Sequence, residues 1–383
     1  MLYNRQTKSN QQKYIEMLRS TGALSNLFSE SDAPYLVSRN VENTYCVALQ
    51  ADNLGRADCS ADASLDGVGV GLKTFLHGNG RTLQKVAEFN KDSKLYRDKS
   101  PKEMIITVAQ LRNQRIEFTK RTYGLHDMIY HCVTRKPGNI SLFEVPMDLI
   151  DIQNIKNITV SNKNIITFQD GINEYSFNVT KSTLYKRFYM ENPLAEIDVQ
   201  IIKDPYTTLA QLFNLNNNYI QSSPTTSKLN NKEREFIVLP LFSDRGAKRH
   251  VPEKSGLNQW NAAGRLRNPN EVYIPIPVWI HKVFPTFFPP RDESFDLSLP
   301  DKAILSAKVC QENSKALMSN PNSALGEWLL RKVMDLKEKE LLTYEKLETL
   351  GIDSVAVYKH GDTDYSIDFC EIGTYDEFLE EHQ

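Results

Sequence analysis

Residues 60–75 read SADASLDGVGVGLKTF, and residues 81–91 just beyond read RTLQKVAEFNK. Asp66-Gly67 is a tight-turn signal between two strands. Along VGVGLKTF (68–75) the side chains alternate, with Val68, Val70 and Leu72 on one face and Gly69, Gly71 and Lys73 on the other. The apolar face can pack against a core. The other face presents Lys73 near Asp62, which lies on the strand before the turn. Leu83, Val86 and Ala87 share a helical spacing, so 81–92 is expected to be a helix carrying Gln84 and Glu88 on one face. The local order expected is strand, turn, strand, helix.

Outward from this stretch, Tyr14, Met17, Leu18 and Leu24 predict a helix within 10–28, and NTYCVALQA (43–51) reads as a buried strand. Ser100-Pro101-Lys102-Glu103 combines a capping box with proline at the first helical position, opening a helix over 100–121. From MIYHCVTRK (128–136) to SFNVTKSTLY (176–185) the pattern turns strand-rich. Residues 214–232, rich in Asn, Ser, Thr and Lys, read as a linker between a domain over 1–213 and one over 233–383. Beyond the linker FIVLPLF, EVYIPIPVWI, ESFDLSLPD, KAILSAKVC and SVAVYKHGDTDYSIDF supply five strand candidates, interrupted by 243–270 and by 311–353, which holds a helical stretch near 323–339. That order suits an interrupted barrel, and the whole chain is expected to be α+β.

The chain has 383 residues, 40% of them hydrophobic, which is enough apolar material for two cores. No apolar run approaches the roughly 20 residues of a membrane-spanning helix, so no membrane partner is expected. The first residues, MLYNRQTKSNQQKY, lack the apolar core of a secretory signal. Five scattered cysteines with no Cys-X-X-Cys pair argue for reduced thiols and a cytoplasmic setting. A net charge of −2 gives no sign of a nucleic-acid partner, so any such sign must be local.

Asp62, Lys73 and Glu88 are the residue types that metal-dependent phosphodiester hydrolysis needs. Carboxylates such as Asp62 and Glu88 hold Mg²⁺, which polarises the phosphate and acidifies the attacking water. A lysine orients that water and offsets developing negative charge. Asp58 is a second candidate for the first carboxylate. Asp66 reads as a turn residue and Gln84 as solvated; Glu16 and Glu42 could support the site, but nothing separates them from surface acids. Other chemistries are poorly served. No histidine has lysine two residues later, as a phospholipase-D-type site requires. His126 and His131 lack the asparagine of a ββα-metal site, and no Walker loop, nucleophile elbow or dinucleotide fingerprint is present.

The Asp62 to Lys73 hairpin resembles the PD-(D/E)XK nuclease fold, whose pattern is Asp on one strand and then Glu/Asp-X-Lys on the next. Asp62 and Lys73 match, with Ala61 where proline often stands. Gly71 departs from the pattern at the acid. The resemblance implies that a carboxylate from the following helix, here Glu88, takes over that role.

Segment 243–270, SDRGAKRHVPEKSGLNQWNAAGRLRNPN, sets six lysines and arginines against Asp244 and Glu253. Arginine can read guanine edges and Asn or Gln adenine, while lysine anchors phosphate. KSGLNQWNAAGRLRNPNEVYIPIP (254–277), FFPPRDESFDLSLPD (287–301), NSALGEWLLRKV (322–333) and VAVYKHGDTDYSIDF (355–369) together resemble the C-terminal domain of NgoFVII-type restriction endonucleases, a B3-like pseudobarrel. The resemblance spans roughly 236–370. It implies a wrench-like grip on the DNA major groove, with one arm over 243–270 and another within 311–326. The readers expected are Arg245, Lys248, Arg249, Gln259, Asn261, Arg265 and Arg267 on the first arm, and Lys315, Asn320 and Asn322, with Ser323 available, on the second. Trp260, Trp279, Trp328 and the Phe284, Phe287, Phe288 strip are expected to be packing residues.

Known relatives of that domain often carry a phospholipase-D-type nuclease, whose motif is missing here. The expectation is therefore a Mg²⁺-dependent type II restriction endonuclease acting on double-stranded DNA as a homodimer, with a cognate methyltransferase encoded nearby. The alternatives are a non-catalytic DNA-binding protein, or the nuclease subunit of a modification-dependent or helicase-assisted system.

Overall fold

The computed structural model describes residues 1–55, 59–161, 164–215, 235–246 and 248–382. The chain divides into two compact units, 1–112 with 125–230, and 113–124 with 231–383. Asp58 and most of the linker expected at 214–232 lie outside the described residues.

In the first unit the elements run α1 (Lys8–Ala23), α2 (Ser38–Leu49), β1 (Asp52–Asn53), β2 (Ala63–Leu65), β3 (Val68–Leu76), β4 (Arg81–Glu88), α3 (Ser93–Tyr96) and α4 (Pro101–Tyr123), whose residues from 113 on belong to the second unit. They continue with β5 (Asp127–Lys136), β6 (Asn139–Pro146), β7 (Lys156–Val160), β8 (Ile165–Gln169), β9 (Glu174–Asn178), β10 (Thr183–Tyr189), β11 (Ala195–Asp198) and α5 (Pro205–Leu215). A six-stranded sheet has the order β1-β2-β3-β5-β6-β11, and a five-stranded sheet the order β4-β10-β9-β8-β7. The turn from β2 to β3 has φ 52° at Asp66 and 74° at Gly67. Those values are the positive pair that a two-residue hairpin turn demands. β3 and β5 run parallel, so the chain must cross over between them, and α4 lies in that crossover. Ser100 caps α4 as expected, its hydroxyl donating to Glu103 while Glu103 also accepts from the Ser100 amide.

The face of β3 that carries Val68, Val70 and Leu72 packs with Tyr14 and Leu18 of α1 and Val41, Tyr45 and Leu49 of α2. A second core joins Ile105, Val108 and Leu111 of α4 to Ile166, Phe168, Tyr175, Phe177 and Leu184 of the five-stranded sheet.

Two elements are the reverse of what the sequence predicts. Residues 43–51 were expected as strand, but 43–49 belong to helix α2, because Val41, Tyr45, Ala48 and Leu49 form a buried i, i+4, i+7, i+8 stripe. Residues 81–88 were expected as helix but form β4, paired with β10 along its length. Exposure there alternates from Arg81 to Val86, and Leu83, which anchored the helical reading, is 38% exposed. A short apolar run satisfies either period until a partner strand decides.

The second unit contains β12 (Phe236–Pro240), β13 (Ile274–Pro275), β14 (Ser294–Ser298), β15 (Ile304–Cys310), β16 (Ala316–Ser319), β17 (Ile352–Lys359) and β18 (Asp364–Glu371), in the sheet order β12-β17-β18-β14-β15-β16-β13. All neighbours are antiparallel except β14 with β18. β12 lies against β13, so the seven strands nearly close into a barrel. EVYIPIPVWI yields only the two residues of β13 and then a helix at Val278–Val283, after Pro275 and Pro277. Ile237, Leu239, Phe295, Leu297, Val309, Leu317, Trp328, Val355, Tyr365 and Phe369 fill the barrel, and Phe118 from the end of α4 joins them, its ring 5.3 Å from that of Phe369. Among the described residues no helix is long and apolar enough to cross a membrane.

Candidate functional site

Ala63 pairs with Val70, which sets Asp62 opposite Gly71 and one residue beyond the start of β2. The Asp62 amide donates to Val70 O at 2.9 Å, and the Leu72 amide donates to Asp62 Oδ2 at 2.6 Å. The carboxylate is therefore fixed on the backbone of β3. Burial pushes the Asp62 carboxyl above its ordinary range; the Lys73 ammonium and the Leu72 amide pull it down, and the Glu42 carboxylate pushes it up again. Asp62, Lys73 and Glu42 thus share one electrostatic neighbourhood. Arg39 also acts on it and holds Glu42 Oε2 at 2.9 Å. The Cys46 thiol, pushed up to about 11 chiefly by burial, feels Glu42, Asp52 and Asp62 as well.

Glu88 is in a different place. It ends β4 in the five-stranded sheet, bonded to Lys85 and Asn90, whereas Asp62 stands next to β2 of the six-stranded sheet. Loss of the expected helix at 81–92 is the physical reason. Gln84 pairs with Lys186 of β10. Glu16 accepts from Gln12 on α1, and Asp66 accepts from Gln6 at 3.0 Å.

The absent acid at Gly71 also has a cause. A Cβ there would lie 2.7 Å from Met147 Cε and 3.0 Å from the Tyr130 ring. The space an acid would need is already packed. A carboxylate that does act electrostatically on Asp62 is Glu42, on the helix before the hairpin. The sequence marks Glu42 only as a possible support of the site and leaves Arg39 unmarked; on α2 the two form an i, i+3 pair.

Lys186 is a second residue that the sequence left unmarked. It is 4% exposed, and its Nζ donates to Pro146 O at 3.2 Å and lies 3.9 Å from Asp148 Oδ2. Burial pulls its ammonium down to about 8. It sits 5.7 Å from the Tyr130 ring, which also has Lys73 at 5.9 Å. His131 is buried against Tyr14 and Glu144 and takes a structural role, and among the described residues no group of three or more His, Cys, Asp or Glu could hold a metal ion.

The expected DNA readers divide sharply. Arg245 and Lys248 are exposed, as is Asn261, whose side chain donates to Glu253 O. Arg249 is committed inside its own unit: it forks onto Asp376 at 2.9 and 2.6 Å, meets Asp244 at 2.9 Å and stacks 4.4 Å from the Phe242 ring. Arg267 donates to the carbonyls of Ala262, Ala263 and Arg265 and staples the loop that carries it. Arg265 is 55% exposed while anchored on Glu271. Gln259 is half-buried, and Trp260 packs on the barrel core.

Lys315, Asn320 and Asn322 are exposed but do not form one arm. β16 runs antiparallel to β15, which puts Lys315 at the hairpin end and Asn320 at the far end. The 243–270 connection leaves β12 at the end shared with Asn320. The hairpin loop has φ 67° at Gln311, 58° at Asn313 and 53° at Ser314, a strained run of the kind found at working sites. Trp328 and Phe287 are core as expected, and Trp279 is partly buried, donating to Tyr375 Oη at 3.0 Å.

Residues 220–361 match the family model of the NgoFVII C-terminal B3-like DNA-binding domain. The nearly closed seven-stranded sheet is compatible with that match. It supports a restriction-enzyme type of DNA-binding domain in this part of the chain, with double-stranded DNA as its partner. No curated protein matches the chain.

Proposed function

We propose that the chain is a type II restriction endonuclease whose second unit reads a short site in double-stranded DNA and whose first unit hydrolyses a phosphodiester bond. One observation carries the nuclease half: Asp62 is pinned by the Leu72 amide and shares its surroundings with Lys73 and a second carboxylate, Glu42. A buried carboxylate that feels the charge of a second one, its pKa raised by burial and by that neighbour, suits a divalent cation. Mg²⁺ takes one or two protein carboxylates and completes its shell with water and phosphate oxygens. Asp62 and Glu42 would hold it, and the ion would supply an acidified water and charge at the phosphate. Lys73 is placed to orient that water and to offset developing negative charge. Leu72 N–H and Arg39 keep the two carboxylates in position. Cutting both strands asks for two such sites, hence a homodimer on DNA, and a cognate methyltransferase encoded nearby would protect the host.

The test is digestion of varied unmethylated DNA with Mg²⁺, beside an EDTA control. Wild type and Glu88→Gln should give discrete fragments. Asp62→Ala, Lys73→Ala and Glu42→Gln should bind DNA and give none. If Glu88→Gln is the inactive variant and Glu42→Gln cuts, the site has been assigned to the wrong carboxylate.

A second reading is a non-catalytic DNA-binding protein, favoured by the packing of Met147 and Tyr130 where an acid at Gly71 would stand. Tight, site-specific binding with no cleavage under any divalent cation would establish it.

A further inference from the structure

We propose that Leu266 reads a thymine 5-methyl group in the recognised DNA, so that one A·T pair of the site is specified by apolar contact. The proposal rests on the reading of the second unit as a DNA-binding domain.

Leu266 is 97% exposed, at the tip of the connection between β12 and β13. A bare leucine is common on surfaces, but this one is held out by a built support. Arg267, 13% exposed, donates to three carbonyls of the tip, from Ala262, Ala263 and Arg265. Glu271, 3% exposed, takes Arg265 and Arg267 together. The root is fixed as firmly: Arg331 donates to Asn270 Oδ1 at 2.7 Å and to Pro269 O at 2.8 Å. Asn270 O stands 2.0 Å from where a Cβ on Gly326 would be, so only glycine lets the root dock. A loop so stapled presents its leucine at little further cost in order, which is what a reading residue needs.

The surroundings choose the ligand. Arg245, Lys248 and Lys254 on the same connection are exposed cations, as is much of Arg265. A cationic rim around one apolar probe suits a polyanion that carries isolated apolar groups. In the DNA major groove the apolar group is the thymine methyl.

The experiment starts from random duplex DNA enriched by the wild-type protein, which gives the site. Each thymine is then replaced in turn by deoxyuridine, which lacks only the methyl. At one position wild type should bind about fourfold more weakly, equivalent to about 0.8 kcal/mol for one buried methyl. Leu266→Ala should bind the thymine duplex about fourfold more weakly and lose nothing further on deoxyuridine at that position. Because Leu266 touches no core, this variant should fold as wild type does. Lys248→Ala should weaken both duplexes alike. Wild-type indifference to deoxyuridine at every position, or a thymine to deoxyuridine ratio unchanged in Leu266→Ala, would overturn the proposal. A wedge inserted between base pairs would show as a loss independent of the methyl, together with a changed DNA bend. If wild type enriches no sequence at all, the DNA-binding reading fails first and takes this one with it.

Discussion

Gly71 marks the departure from the nuclease pattern, and the packing around it predicts how the protein responds when that position is filled. A methyl at 71 would stand 2.7 Å from Met147 Cε and 3.0 and 3.2 Å from two carbons of Tyr130. Met147 and Tyr130 are both buried, and Tyr130 is further held by Arg112, which donates to its hydroxyl at 3.1 Å. The end of Met147 can retreat, but the ring cannot. Overpacking of this kind costs about 1–3 kcal/mol. Met147→Ala alone leaves a cavity and should cost about 2–5 kcal/mol. In the double variant the new methyl enters the space that Met147 vacates, so the shortest contact disappears while the ring contact stays. The two costs should then fall short of their sum by about 1 kcal/mol or more. All three tryptophans, Trp260, Trp279 and Trp328, lie in the second unit, so their fluorescence is the wrong probe. Native-state hydrogen exchange of peptide 127–136, followed through a low-urea series, reads the strand concerned. Additivity within about 0.5 kcal/mol, or a neutral Gly71→Ala, would refute the packing argument.

Three further predictions use the same kind of geometry. Arg249→Ala removes the fork onto Asp376 and leaves Asp353, whose carboxylate is buried 3.8 Å away, without its nearest cation. It should cost the second unit about 1–3 kcal/mol in tryptophan-monitored unfolding, whereas Arg245→Ala should be neutral within about 0.5 kcal/mol. Burial pushes the Asp368 carboxyl up to about 6 against the pull of the Tyr123 hydroxyl and the Phe369 amide. Its folded pKa lies above the unfolded value, so the folded state binds the proton more tightly and stability falls as pH rises between about 4 and 6. Asp368→Asn should remove that fall, worth at most about 3 kcal/mol; an unchanged pH profile would count against it. Burial alone would raise the Glu144 carboxyl, but His131 and the amides of Tyr3 and Leu2 bring it below its ordinary value. The stability it adds is present above about pH 4.3 and is lost as pH falls through the folded pKa, so peptide 1–14 should lose exchange protection in acid, and Glu144→Gln should abolish that pH dependence.

How much the sequence could tell depended on the range of the interactions involved. Asp66-Gly67 and the alternation of 68–75 are local, and the hairpin that holds Asp62 and Lys73 follows from them. The Ser100 and Glu103 capping box is local too, and α4 opens where it says. NTYCVALQA and RTLQKVAE failed for one shared reason, since each is short enough to satisfy either period. Only α1 packing on one and β10 pairing with the other decides between them. That single ambiguity also put Glu88 on a helix after the hairpin, whereas it ends strand β4 in the other sheet.

The basic arm shows the same limit in charge rather than period. Its six cations opposing two acids describe a net attraction for phosphate, but sequence does not reveal which of them are already paired. Arg249 is claimed by Asp376, 127 residues away, and Arg267 by its own loop and by Glu271. The cations left to face a ligand are Arg245, Lys248, Lys254 and the exposed part of Arg265. An arginine that folds a loop cannot also fork onto a guanine without releasing what it holds. On the proposed reading, specificity on this arm falls to side chains not committed in that way, such as the exposed Arg245 and the Leu266 that the paired arginines present.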